Sequence, residues 1–343
     1  MNYIFRADSS NIIGSGHIYR SMRIADLLVK KKNKVNFITR NFDGNINSVL
    51  KKKYKTHILK DKIFNINKKK NYLMWNKYQQ IKDANKTLKI AKKIKAEQIV
   101  VDHYGLSHHW HKTLSKHLKV IVIDDYLNKK IFSDVYINYH LLTKKYLKLK
   151  KIINPNCKIL LGPKYALLDQ VKIKKKNMLK KNILIYFGSI DSFNVTTVVI
   201  NILNKIKINN LKFLIILGKN NKNKERIIKK YKNNKNFIFY SKNFLNLVKF
   251  YTKCQGSITG AGVSLYEQIQ HKLSILSIYS NNNQKQLVDN LSKLNICKSV
   301  SRKKITKGVI KNFIKLDMRK TISKKIYFDG MGVNRIYQII RNN

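Results

Sequence analysis

The segment RADSSNIIGSGHIYRSMRIA, residues 6–25, sets two glycines and a histidine between a short apolar run and a helix-patterned stretch. Gly14 and Gly16 permit tight turning and close backbone approach, and a helix mouth supplies N–H groups and positive potential, which favour an anion. As a dinucleotide loop the segment fails twice. The third glycine of G-x-G-x-x-G falls at Tyr19, and the second strand ends in ITRN without a ribose-binding acid. His17 is more telling. The positive end of a helix disfavours imidazolium, so a neutral ring there can take a proton from water or a hydroxyl. The competing reading is a histidine that caps the helix or fills a polar niche. The glycines and the charged strand end, Arg6 and Asp8, favour the chemical one.

Acids at strand ends form a second group: Asp102-His103-Tyr104 and Asp124-Asp125. They could orient a base, accept hydrogen bonds from sugar hydroxyls or ligate a cation, and they could equally cap the helices that follow. The nearby HHWH, with His108, His109 and His111, has neither an H-E-x-x-H frame nor a cysteine partner, so an exposed first helical turn is expected and no metal site. In the second half, FGSIDSFN places Gly188, Ser189, Asp191 and Asn194 before a helix from Val195, and TGAGVSLYEQ places Gly260 and Gly262 before a helix carrying Glu267. Both turns could hold phosphate on backbone N–H groups, and a carboxylate one turn into a helix could accept both hydroxyls of a ribose. The plain alternative is two helix-start glycine turns and a solvated Glu. Two such turns opposite a histidine-bearing one suggest a nucleotide-sugar cleft.

The elements that must position these residues alternate. Strand-like runs NYIFRAD, KVNFITR, THILK, EQIVVDHYG, KVIVIDDYL and VYINYH are followed by KNILIYFGSID, KFLIILG, NFIFYSK, GSITGAG and SILSIYS, with helical patterns between. Ile18, Met22, Ala25, Leu28 and Val29 fall at helical spacing, and a second helix is expected over Tyr72–Lys95. The rhythm breaks near NPNCKILLGPKYALLD, and a lysine-rich linker is expected around 171–182. The expected fold class is therefore α/β, with two Rossmann-like domains, 1–165 and 166–343, and a cleft between them.

Composition narrows the function classes without choosing one. The chain has 343 residues, 43% of them hydrophobic, with no apolar run near membrane-spanning length, and its first residues, MNYIFRADSS, are expected to form a strand and not an export signal. Three scattered cysteines, Cys157, Cys254 and Cys297, are expected as reduced thiols in the cytoplasm. Lys and Arg number 72 against 17 acids, a formal net charge of +55. A polyanion partner would explain that charge. The lysines are scattered through loops and helix faces, though, and Lys, Asn, Ile, Tyr and Phe are abundant together, as codon drift produces. No specific nucleic-acid partner is expected, and a basic RNA- or membrane-associated protein is the alternative of another class.

These same stretches, with DHYG, IDD, LLGPKYALL and FDGMGVNRI, resemble in order the UDP-sugar hydrolase of pseudaminic acid biosynthesis, a relative of two-Rossmann (GT-B) glycosyltransferases. The resemblance runs over nearly the whole chain. It implies hydrolysis of UDP-2,4-diacetamido-2,4,6-trideoxy-β-L-altropyranose by water at the anomeric carbon, in a pathway whose end use is flagellin glycosylation. It implies that His17 is the base, that Asn194 and Glu267 contact substrate, and that the second domain holds UDP. Further substrate contacts are expected at Gly14, Gly16, Arg6, Asp8, Asp102, Gly188, Ser189, Gly260 and Gly262. Ser189 departs from the family's second glycine and adds a side chain where backbone approaches phosphate. No cofactor is expected, and the chain is expected to be a monomer. The same fold could instead carry a glycosyltransferase, with His17 deprotonating an acceptor.

Overall fold

The structure is a computed structural model that describes the chain apart from residues 62–63, 65–74, 126–128, 141–145, 172–181, 207, 209, 219, 242–246, 316–327 and 343. The strand runs build two all-parallel sheets. The first comprises β1 (Asn2–Ala7), β2 (Lys34–Arg40), β3 (Lys55–Leu59), β4 (Gln98–Asp102), β5 (Lys119–Ile123), β6 (Val135–Asn138) and β7 (Lys158–Leu161). Their spatial order is β3-β2-β1-β4-β5-β6-β7. The second comprises β8 (Asn182–Tyr186), β9 (Lys212–Ile216), β10 (Phe237–Tyr240), β11 (Gly256–Gly260), β12 (Ser274–Tyr279) and β13 (Lys298–Ser301), ordered β10-β9-β8-β11-β12-β13. Helical crossovers make such pairing parallel, and burial on both faces makes the strands nearly continuous apolar runs.

Each sheet reverses its winding once, between β1 and β4 and between β8 and β11. Loops leaving the two central strands at such a point diverge and open a crevice beyond the strand ends. The GSGH turn follows β1, DHYG follows β4, FGSID follows β8 and TGAG ends and follows β11. The four suggestive turns thus occupy the switch points of their own sheets.

The cores explain why the pattern holds. In the first, Ile4, Ile38, Ile99, Val101, Val120 and Val122 pack against Ala84, Ala91, Trp110 and Leu114 of two helices. In the second, Ile183, Ile185, Phe213, Ile215 and Ile258 pack against Val199, Ile200 and Leu203. The helix Gly16–Lys30 buries Ile18, Met22, Ile24, Ala25 and Leu28. Val29, expected inward, is 47% exposed, because Leu28 beside it already faces the sheet. The next long helix starts at Lys77 and ends at Lys93, inside the expected Tyr72–Lys95. A reciprocal box fixes its start: Asn76 Oδ1 accepts from Gln79 N, and Gln79 Oε1 accepts from Asn76 N. Residues 72–74 lie outside the described residues, as does most of the linker expected at 171–182. Two strands were not expected: KILL at β7, short and close behind Pro155, and the half-polar KSVS at β13.

The chain forms two compact units, Met1–Asp169 with Gly330–Asn343, and Gln170–Asp329. A division at 165/166 would place the last helix, Gly332–Asn342, in the second half; it returns to the first unit instead. Its buried face, Val333, Ile336, Tyr337 and Ile340, is the reason. Arg335 Nη1 donates to Lys164 O at 2.9 Å and Gln98 Nε2 donates to Ile340 O at 3.0 Å. Among the described residues no helix is long and apolar enough to cross a membrane. Cys157, Cys254 and Cys297 are free thiols.

Candidate functional site

Gly14 takes φ +85° and Gly188 takes φ +86°, the left-handed region in which a Cβ is strained. At Gly14 this turns the chain so that Gly16 and His17 open the helix Gly16–Lys30, whose mouth no side chain caps. His17 is 6% exposed, yet its surroundings are polar. Its Nδ1 lies 2.6 Å from Asp102 Oδ1, and its ring meets Tyr104 edge-on at 4.5 Å. The carboxylate accepts, so Nδ1 carries the hydrogen and the lone pair of the neutral ring sits on Nε2. An imidazole held in this way by a carboxylate can act as a general base with an orienting acid.

Asp102 ends β4 and is wholly buried. Arg20, one turn along the helix from His17, grips it with two bonds, Nε to Oδ2 at 2.5 Å and Nη2 to Oδ1 at 2.6 Å. Burial pushes the Asp102 carboxyl up, but Arg20 and His17 outweigh it and hold it below the usual carboxylate range. Arg20 Nη1 also donates to Asp125 Oδ2 and to Tyr139 Oη, both at 3.0 Å. Asp125 accepts from Tyr104 Oη at 2.5 Å and meets His140 Nε2 at 2.8 Å. Against its burial, Arg20 and His140 hold Asp125 well below the ordinary carboxylate range. Asp124, its neighbour, pairs with Lys129 Nζ at 2.8 Å.

Arg6 and Asp8 sit beneath this layer. Both are wholly buried and spend their charges inside the protein, a placement that does not suit the substrate contact expected of them. Arg6 pairs with Asp8 at 2.7 Å and with Asp83 at 2.9 Å, and Asp83 also takes Arg40 at 2.7 Å. His103 Nε2 donates to Asp8 at 3.0 Å, while Gly105 N donates to His103 Nδ1 at 3.1 Å. The ring therefore pins the turn that presents Asp102 and Tyr104 to His17. Burial lowers His103 to about 4, with Asp8 opposing and Arg6 assisting. A depressed imidazole is neutral in the fold and charged once unfolded, so its contribution is full above about 6.5 and is lost as pH falls toward about 4. Both tryptophans, Trp75 and Trp110, lie in the first unit. Urea unfolding followed by tryptophan fluorescence is thus expected to show stability falling across that window, and His103→Gln to flatten the fall.

In the second unit, the helix mouth expected to hold phosphate at Asn194 is already filled. Asp191 Oδ1 accepts from Val195 N and Oδ2 from Thr196 N, both at 2.9 Å. Asn194 is left-handed, φ +52°, and its Oδ1 accepts from Thr197 Oγ1 at 2.5 Å. Phosphate at that turn would therefore meet Gly188 and Ser189, not the first turn of the helix. The Ser189 backbone abuts the end of β9, where a Cβ on Gly218 would stand 2.3 Å from Ser189 Cα. Around Gly262, at the mouth of the helix Val263–Gln270, a Cβ would meet nothing within 4 Å, which leaves room for a ligand. Gln268 ties that helix to β11 through Ser257 and Thr259 at 2.5 and 3.1 Å. Tyr251 Oη donates to Glu267 Oε2 at 2.7 Å and so fixes the carboxylate on the same helix.

Of the expected residues, the fold brings His17 and Asp102 together in the first unit, near Gly14 and Gly16. It places Gly188, Ser189, Gly260, Gly262 and Glu267 at the switch point of the second sheet. HHWH is not an exposed turn throughout: Trp110 and His111 are buried, and Trp110 Nε1 donates to Asp83 at 2.9 Å. Sequence reasoning missed Arg20 and His140. Arg20 stands three residues after His17, the spacing that shares a helix face, and that signal was available. His140 ends a strand-like run, and only the pairing of β5 with β6 carries it to Asp125.

No protein-family profile matches the sequence. An uncharacterized protein of Methanocaldococcus jannaschii is 26% identical over 305 residues, 83% of this chain but 57% of that protein. The chain thus spans little more than half the length of that relative. Among solved structures, MurG of Acinetobacter baumannii superposes with a TM-score of 0.67 at 12% identity over the whole of both chains. The UDP-GlcNAc 2-epimerase of M. jannaschii, in complex with UDP-GlcNAc and UDP, gives 0.65 at 14% identity, again over both whole chains. MnaA of S. aureus, solved with UDP, gives 0.64 at 12% identity over 99% of this chain and 96% of that one. At such identities the likeness establishes the fold: this chain is an α/β protein of two Rossmann-like domains, of the same fold as these proteins.

Proposed function

We propose that the chain is an enzyme acting on a UDP-sugar, and that it hydrolyses the sugar–phosphate bond to release UDP and the free sugar. The observation that carries this reading is the His17–Asp102 pair at the switch point of the first sheet, 2.6 Å apart beside an uncapped helix mouth. Support for the nucleotide comes from solved structures of this fold that hold UDP or UDP-GlcNAc. The resemblance of the GSGH, DHYG and GAGVSLYEQ stretches favours UDP-2,4-diacetamido-2,4,6-trideoxy-β-L-altropyranose, and with it pseudaminic acid biosynthesis.

Chemistry is assigned to the first unit and nucleotide recognition to the second. Water attacks the anomeric carbon, its proton passes to His17 Nε2, and the bond from that carbon to the phosphate oxygen breaks. UDP leaves with the bonding pair. Asp102 holds the tautomer and stabilises the imidazolium that forms. Glu267 accepts from the ribose hydroxyls while the turns at Gly188–Ser189 and Gly260–Gly262 face the diphosphate. Hydrogen bonds to a charged group are worth about 1.5–3 kcal/mol, so Glu267→Gln is expected to weaken UDP binding by about 10–100-fold, read by calorimetry.

The test is an incubation with a panel of UDP-sugars and no acceptor, the free sugar being identified by NMR. Release of UDP and one free sugar supports hydrolysis. UDP release only on addition of an acceptor hydroxyl would make the chain a glycosyltransferase.

A further inference from the structure

Lys129, in the loop after β5, stands apart from the scattered lysines of the chain. Its side chain is 14% exposed, whereas Lys53, Lys82, Lys86, Lys224 and Lys285, which also form ion pairs, are 31–50% exposed. Its Nζ donates to three carbonyls of one turn: His103 O at 3.1 Å, Tyr104 O at 2.8 Å and Leu106 O at 2.7 Å. Asp124 Oδ2 lies 2.8 Å away. An ammonium has three hydrogens to donate and nothing to accept, so this one is spent on four oxygens. Converging peptide carbonyls turn their negative ends to one point, and they stay together only where a cation or donors satisfy them. A compact ammonium with three rotatable donors suits that point better than the planar fork of an arginine.

The turn gathered in this way, 102–106, carries the partners of His17. Asp102 Oδ1 lies 2.6 Å from His17 Nδ1, and Tyr104 meets the ring edge-on at 4.5 Å. His103 anchors the turn through its side chain, on Asp8 at 3.0 Å; Lys129 holds the backbone. His108 N donates to Lys130 O at 3.0 Å, which keeps the loop of Lys129 against the start of the helix His108–Ser115. We propose that Lys129 is a positioning residue, a tethered cation that gathers the carbonyls of His103, Tyr104 and Leu106 and so holds Asp102 and Tyr104 in place against His17. It acts through the turn and not on the reacting atoms. Without it the three carbonyls and the Asp124 carboxylate repel one another, and the turn opens.

This inference rests on the hydrolytic reading only where rates are measured, and its test has an arm that needs no substrate. Lys129→Ala removes the side chain beyond Cβ, and propylammonium supplies the atoms lost. Two amides report on the turn: Gly105 N, bonded to His103 Nδ1, and Leu106 N, bonded to His103 O. Their hydrogen exchange, read by NMR, is expected to quicken about tenfold in the variant, as local opening becomes easier. Propylammonium is expected to slow it again; tetramethylammonium, which has the charge but no N–H, is not. UDP release is expected to fall about 10–10²-fold in kcat with KM little changed, the scale of a small misplacement of the catalytic groups. It should recover with the same amine, which a merely structural role would not produce. Lys129→Ala with Asp124→Asn strands no carboxylate and carries the same measurements should the single variant not fold. Unchanged exchange or unchanged kcat in a folded variant, or a propylammonium effect no greater than that of tetramethylammonium, would overturn the inference. If the wild-type protein releases no UDP from any UDP-sugar, the functional reading fails and the exchange measurements decide the role of Lys129 by themselves.

Discussion

Replacing His17 by asparagine is expected to cut the rate of UDP release by about 10²–10⁴-fold, the range of a positioned acid–base group. The protein should stay folded. Asp102 keeps both bonds from Arg20 when the imidazole goes, so no buried charge is stranded. The loss should appear in kcat and kcat/KM together, because the proton moves only as the bond to the anomeric carbon changes. Asp102→Asn is expected to act in the same direction, since an amide no longer dictates which ring nitrogen bears hydrogen. Near-normal turnover in the His17 variant would remove the base from the account.

The largest effect on stability is expected at Asp83. Its wholly buried carboxylate accepts from Arg6 at 2.9 and 3.1 Å, from Arg40 at 2.7 and 3.2 Å, and from Trp110 Nε1 at 2.9 Å. Burial favours its neutral form, but the two guanidiniums hold it at about 2. Asp83→Ala leaves both cations buried with less than their share of negative charge, a change that costs about 3–5 kcal/mol. Tryptophan fluorescence during urea unfolding reads it directly, because Trp110 contacts the altered carboxylate. A loss below about 1 kcal/mol would mean that water or Asp8 and Asp61 replace the missing charge. The sign with pH is fixed as well. A carboxyl depressed in the fold stabilises above its unfolded value near 3.9, and that stability fades as pH falls toward about 2. The Asp83 step therefore follows the His103 step on acidification.

Much of this architecture is written in local sequence. Alternating strand and helix patterns suffice for parallel sheets, and glycines after strands mark where the chain turns at a switch point. The seventh and thirteenth strands were hidden because a four-residue run carries little periodicity, and KSVS is half polar. The return of Gly332–Asn342 to the first unit was invisible for another reason: an amphipathic helix specifies a face and not the partner that covers it. At the site, the position of His17 at a helix mouth was legible from its place after G-S-G, whereas its contact with Asp102 needed the register of β1 with β4. Ala7 pairs with Asp102 in that register, which brings the strand end beneath the histidine turn. Arg6 and Asp8 illustrate the opposite limit. Charge at a strand end marks them for attention, and only burial shows that they support the turn from below.

The central claim is attack by water at the anomeric carbon, and isotope placement tests it most directly. With the sugar nucleotide incubated in H2-18O, mass spectrometry of the released UDP should show no incorporated label, because the oxygen between carbon and phosphorus departs with the phosphate. Label in UDP would mean attack at phosphorus, and the base at His17 would then serve a different reaction.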